Sequence, residues 1–367
     1  MDSVTEAYLN RIATAVPDHD VHSAFVAFAD RLLAESPDPR VRSLFSRMSS
    51  RSGIQHRYSV LSPHPDSSGL ADSEFWINAN EFFIRGNFPD TSKRMDVFER
   101  FAPVLMRRAV DRLNVTPAER HSITHVLVTT CTGLYAPGLD FDIVDHLGLC
   151  SSTERTMIGF MGCYAAINGL KTARHIIRSE PSARVLMVNL ELCSLHLQES
   201  HDLEQVLSFL LFADGCAASI LSAEPTGLAL DSFRAVLLPE TRDLITWKIR
   251  GLGFDMFLSG HVPIAIGKGL DALGQDVIGP FTTDDITLWG VHPGGRTILD
   301  AVERGLALPP DALSASRSVL EQYGNMSSAT VMFVLEELMR SAQPGERGCA
   351  MSFGPGLTAE TMLFHAA

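Results

Sequence analysis

The chain has 367 residues, of which 46 % are hydrophobic and 20 % charged, enough for a sizeable core and long enough for two domains or one duplicated fold. A net charge of −13 sets the molecule as a whole against nucleic acid and anionic membrane. No apolar run reaches the roughly 18 residues of a membrane span. The N-terminus has no basic start followed by an apolar run. The six cysteines show neither CxxC nor disulfide-like spacing, and no Cys/His cluster has zinc spacing. A reduced, cytoplasmic protein without a metal is the expectation.

Apolar residues at three- and four-residue spacing predict helix over 22–48 and 92–114. Between them, "SPHPDSSGLADS" reads as loop. "HVLVTTCTG" (125–133) is a β-branched run stopped by glycine, a buried strand. "GCYAAINGLKTARHIIRSE" predicts a helix starting near Cys163, and "RVLMVNLELCSL" (184–195) another buried strand. "AASILSA" (217–223) follows the turn "FADG". After "EPTG" the order begins again. "LALDSFRAVLLP" predicts a strand, "GHVPIAIGKGLDAL" a helix with Pro263 in its first turn, "ITLWGV" (286–291) a strand and "GGRTILDAVERGL" a helix. "SATVMFVLEELMR" is an amphipathic helix, and "GCAMSFGPG" and "ETMLFHA" close the chain as strands. Strands alternating with helices predict an α/β protein whose halves, 1–223 and 224–367, pack as one body.

Three residues stand at junctions where such folds build sites. Cys163 lies where a helix begins, and a helix N-terminus favours thiolate. His292 ends a strand ahead of a Gly-Gly turn, and Asn325 occupies a polar turn before a helix. Each has a plain structural reading: a small buried hydrophobe, a histidine on a backbone carbonyl, a helix cap. Together they suit acyl transfer through a thioester. The thiolate is the nucleophile, and the imidazole and carboxamide donate to a developing oxyanion or enolate.

The segments "GCYAAINGL", "GVHPGGRTILD", "YGNMSSATVMFVLEE" and "FGPGLTAE" resemble the signatures of type III polyketide synthases, the chalcone synthase superfamily. They occur in the family's order, and "TTCTGLYAPGLD" and "LFADGCAASI" also match. The resemblance implies the thiolase fold: two βαβαβαββ halves forming a five-layered αβαβα core, in a homodimer. It implies that Cys163 carries the starter and the growing chain. His292 and Asn325 then stabilise the enolate left by malonyl-CoA decarboxylation. Phe212 matches a gatekeeper phenylalanine, and Met256 stands where plant enzymes have a second one. Cys131 replaces a plant threonine and is a second thiol of the cavity. Cys193, His196, Ser327 and Phe353 belong to segments that shape the pocket, and Trp247 replaces a residue that is often glycine. Arg51 and Arg57, with Gly294 and Gly295, match the CoA-binding region. Ser352 stands where glycine is usual. The resemblance further implies an acyl-CoA starter and malonyl-CoA as substrates, with no further cofactor, nucleic acid or membrane span. Two other readings share the three residues: a ketoacyl-ACP synthase III-like enzyme, and a non-catalytic acyl-CoA-binding protein on the same fold.

Overall fold

The strand Tyr8–Ala15 is absent from the predicted elements, yet it joins the two halves. The computed structural model describes residues 5–36, 38–63 and 77–367; most of the loop expected at 62–73 lies outside them. Among these residues one nine-stranded sheet runs, in spatial order, through Leu288–Val291, Arg347–Gly354, Thr358–Ala366, Leu228–Leu237, Tyr8–Ala15, Asp214–Ser222, Val185–Leu192, His125–Thr130 and Glu154–Gly159. Tyr8–Ala15 pairs along its length with Asp214–Ser222, but only through Tyr8 and Leu9 with Leu228–Leu237. Each half of the sheet is therefore nearly separate.

The two faces of each strand pack into different cores, as period-two alternation requires. Leu127, Val185 and Met187 face a central cluster containing Leu170 of the helix Ala165–Ser179 and Val331 of the helix Thr330–Ser341. Their neighbours Val126, Val128, Leu186 and Val188 face outward, against Phe98 and Leu105 of the helix Thr91–Arg112. In the C-terminal half, Trp289, Val291, Cys349 and Met351 pack outward on the helices Val262–Ile278 and Arg296–Gly305. The order is helix, sheet, helix, sheet, helix: the five layers expected. Both faces of both half-sheets are covered, which explains the unbroken apolar runs in the sequence.

The N-terminal half follows the βαβαβαββ order. Among the described residues the C-terminal half has one strand fewer. The segment after Gly305 contains Pro309 and Pro310, which cannot donate to a strand ladder, and it turns directly into the helix Ser314–Tyr323. The helix predicted over 22–48 is two helices, His22–Leu33 and Pro39–Ser49. Pro39 starts the second at its first turn, with the Asp38 side chain accepting from the Arg40 N–H. The strand predicted over 184–195 ends at Leu192, and Cys193–His196 form a single 3-10 turn.

Leu170 is fully buried between the half-sheets. Leu170→Ala is expected to cost about 2–5 kcal/mol, measured from the urea midpoint, whereas truncating the exposed Leu134 should cost less than about 0.5 kcal/mol.

Candidate active site

Cys163 sits in the 3-10 turn Gly162–Tyr164 that leads into the helix Ala165–Ser179. Gly162 adopts φ 75°, and a Cβ on it would lie 2.5 Å from Pro355 Cδ. Only glycine fits this conformation and this approach to the "GPG" loop. His292 follows the strand Leu288–Val291, and its N–H continues the pairing to Met351 O at 2.7 Å. Asn325 is held by backbone bonds on both sides of Phe212. Its N–H donates to Leu211 O at 2.8 Å, and its carbonyl accepts from Ala213 N–H at 2.9 Å. Its side-chain Oδ1 accepts from Ser327 N–H at 2.9 Å, and Nδ2 lies 3.3 Å from Gly294 O. The carboxamide is thus oriented with its NH2 as the outward donor.

Cys163, His292 and Asn325 line one cavity of about 820 Å³. Cys163 Sγ is 3.7 Å from Ser327 Oγ. Burial pushes the Cys163 thiol up to about 12; hydrogen bonds from Ser327 and Asn325 pull it down, and the Glu191 carboxylate raises it further. Burial alone pushes His292 down to about 3. Neither of its ring nitrogens has a hydrogen-bond partner among the described residues. Taken singly, both groups are neutral at pH 7. A thiolate at this position would need a proton acceptor inside the same cavity.

Most of the expected residues meet on this cavity. Phe212, Met256, Trp247 and Phe353 form its apolar wall, with Cys131, Ser327, Gly294 and Gly295 beside them and the exposed Arg51 at its edge. Trp247 and Met256 face each other across the hairpin formed by Ile245–Arg250 and Gly253–Leu258. Cys131 Sγ accepts from Gly162 N–H at 3.1 Å, which ties the second thiol to the turn carrying the first.

Three of the expected residues do not line this cavity. His196 does not line the cavity; its Nε2 bonds Thr132 O at 2.6 Å and its ring stacks on Phe254 with centroids 3.9 Å apart. The 3-10 turn rotates it away from the direction that a continued strand would give. Cys193 lines a second, smaller cavity of about 340 Å³ behind Phe212. Arg57 is not at the entrance: it is 2 % exposed and bonds backbone carbonyls.

Other residues of the site were not anticipated. Arg47, Arg296 and Arg304 are exposed and line the same cavity as Arg51. Arg47 lies in the last turn of the helix Pro39–Ser49 and Arg51 just beyond its cap, a four-residue spacing visible in the sequence. Glu191 is wholly buried and accepts from Ser328 Oγ at 2.5 Å, Cys131 N–H at 2.9 Å and Thr132 Oγ1 at 2.9 Å. Burial pushes its carboxyl up to about 7. A single acid inside an apolar strand was its only sequence signal. Away from the cavity, His125, Glu154 and Glu180 bring donor atoms within 4.8 Å of one another, at the start of the strand whose far end leads to Cys131. No helix among the described residues is long and apolar enough to cross a membrane.

Family comparisons agree with this geometry. The N-terminal domain of chalcone and stilbene synthases matches residues 2–225, and their C-terminal domain matches residues 229–367. Bisdemethoxycurcumin synthase of Oryza sativa subsp. japonica is 32 % identical over 379 residues, covering 97 % of this chain and 91 % of that protein. The alpha-pyrone synthesis polyketide synthase-like Pks18 of Mycobacterium tuberculosis is 32 % identical over 374 residues, covering 98 % and 91 %. The crystal structure of PKS-I from the brown alga Ectocarpus siliculosus superposes with a TM-score of 0.86 at 31 % identity, covering all of both chains. The chain belongs to the chalcone and stilbene synthase family: it is a type III polyketide synthase of thiolase-type fold, a malonyl-CoA-dependent condensing acyltransferase.

Proposed function

We propose that the enzyme loads an acyl-CoA starter on Cys163, extends it by decarboxylative Claisen condensation with malonyl-CoA, and cyclises the product to a pyrone or a resorcinol- or phloroglucinol-type ring. The observation that carries this reading is one cavity lined by a thiol, an unpartnered imidazole and an oriented carboxamide. In loading, the Cys163 thiol gives its proton to His292, and the thiolate attacks the acyl-CoA carbonyl. CoA leaves as thiolate and takes the proton back from the imidazolium. In extension, malonyl-CoA loses carbon dioxide, and the enolate oxygen accepts hydrogen bonds from a His292 N–H and from Asn325 Nδ2. The enolate carbon then attacks the thioester, and Cys163 leaves as thiolate to receive the lengthened chain. Burial of both side chains makes these donors stronger than they would be in water.

Arg47, Arg51, Arg296 and Arg304 at the cavity edge suit the phosphates of CoA. CoA thioesters then serve as substrates and no further cofactor takes part. The cavity is of a size that holds a small organic ligand. A pyrone product accords with the name of the mycobacterial relative. The enzyme is read as a cytoplasmic homodimer, as in the family it resembles.

Asn325→Ala tests the division of roles. Decarboxylation of radiolabelled malonyl-CoA should fall roughly 10²–10³-fold, the cost of one preorganised donor, while Cys163 still accepts a starter. Equal loss of both steps would leave Asn325 as a turn residue only.

Trp247 tests the pocket. It lines the cavity with its ring edge-on to Phe212, centroids 6.4 Å apart. Trp247→Gly should shift products towards longer starters or an added extension, read by mass from matched acyl-CoA starters. An unchanged profile with stability lowered by about 3–5 kcal/mol would make the indole mere packing.

Each buried titratable group contributes to the pH dependence of stability with its own sign. Below pH 6.5 an unfolded histidine takes up a proton that folded His292 refuses down to about 3, so stability falls as pH drops through this window. His196, also held at about 3, acts in the same sense. Glu191, at about 7, and Asp214, at about 6, act oppositely and lose their contribution as pH rises through those values. In His292→Gln the fall in melting temperature between about pH 6.5 and 5 should be shallower than in the wild type. An identical slope would show that His292 is not held neutral.

A further inference from the structure

We infer that Arg57 is a positioning residue for the decarboxylation step, a buried clamp that fixes Phe212 and, through it, Asn325. This rests on the role given above to Asn325. Arg57 is 2 % exposed. Its Nη1 donates to two carbonyls at the C-terminal end of the helix Leu203–Leu211: Phe209 O at 3.0 Å and Phe212 O at 2.6 Å. These belong to the carbonyls that a helix end leaves without intrahelical partners. Its Nε donates to His22 Nδ1 at 3.1 Å, and its guanidinium lies 4.7 Å from the Phe25 ring centroid. Burial and the Arg57 charge push His22 down to about 4, so its imidazole is neutral and Nδ1 accepts.

The segment Arg57 grips is the one that holds Asn325. Leu211 O and Ala213 N–H bond the Asn325 backbone on either side of Phe212, and Phe212 and Asn325 form a parallel bridge. The Arg57 stem also packs on Gly324, where an added Cβ would meet Arg57 Cγ at 2.7 Å. One side chain therefore touches the cavity-wall segment from below and the residue preceding Asn325 from the side. A surface arginine binding phosphate would do neither. Lysine cannot replace it, because a single ammonium on a shorter stem lacks the planar fork that reaches both the carbonyls and His22.

The arrangement separates two steps. Cys163 lies on a different turn, and Asn325 gives the smaller of the two side-chain hydrogen bonds that lower its thiol, so loading depends on the clamp far less than decarboxylation does. Decarboxylation depends on where Asn325 Nδ2 points. In Arg57→Lys, malonyl-CoA decarboxylation should fall about 10–100-fold, in the range that small misplacements cost. Single-turnover loading of Cys163 by an acyl-CoA should stay within about twofold. Arg57 also lines the 340 Å³ cavity behind Phe212, which gives a small cation a way in. Added methylguanidinium should therefore restore decarboxylation to Arg57→Ala, and methylammonium should not. Loading and decarboxylation falling together in Arg57→Lys, or no rescue of a folded Arg57→Ala as judged by circular dichroism, would overturn the clamp. Should Arg57→Ala fail to fold, the split between the two steps in Arg57→Lys decides alone. Asn325→Ala, measured beside them, separates the two claims. A wild-type decarboxylation rate there refutes the assignment of Asn325. A lost rate there, with Arg57→Lys unchanged, refutes only the clamp.

Discussion

Desolvation sets the terms on which Cys163 and His292 are proposed to react. The cavity that shelters an enolate from water also makes a lone thiolate or a lone imidazolium costly, which is why burial drives the thiol up and the imidazole down. Moving a proton from one to the other replaces two isolated costs with an ion pair. Ser327 and Asn325 lower the thiol through hydrogen bonds, and Glu191 opposes them. In the proposed mechanism the same low-dielectric surroundings strengthen the His292 and Asn325 donors once charge develops on substrate oxygen. A wetter site would ionise Cys163 more readily and stabilise an enolate less.

The fold delivers this environment by bringing the ends of helices and strands of both halves to one place. Cys163 starts a helix of the middle layer, His292 ends a strand of the C-terminal half-sheet, and Asn325 precedes the other middle helix. All three are anchored by backbone geometry. Gly162 permits a turn that a side chain would block, and the Asn325 backbone is bonded on both sides of Phe212. Rigid placement of this kind is what orientation catalysis requires.

Much of this was legible because it is written in local punctuation. Glycines and prolines bracket Cys163, His292 and Asn325, and the apolar runs of the sheet are long and β-branched. What was not legible depends on distant partners. "YLNRIATA" carries Asn10 and Arg11, and although the following "PDHD" marks a turn, nothing local marks it as the strand joining the halves. Arg57 sits in a basic run that reads as solvated; its burial depends on carbonyls about 150 residues further along the chain. Glu191 gains its meaning from residues 131, 132 and 328. His196 was misplaced because a strand's period-two rule stops at Leu192, where the chain turns into a 3-10 segment.

Cys163 alone is proposed to carry the acyl chain, although Cys131 shares its cavity and Cys193 lies just behind Phe212. The most direct measurement is peptide mapping by mass after a single turnover with an acyl-CoA starter. The account predicts one acyl group per chain, on the peptide containing Cys163, and none in Cys163→Ala. Acyl mass on Cys131 or Cys193 in the wild-type enzyme, or retained acylation in Cys163→Ala, would contradict it.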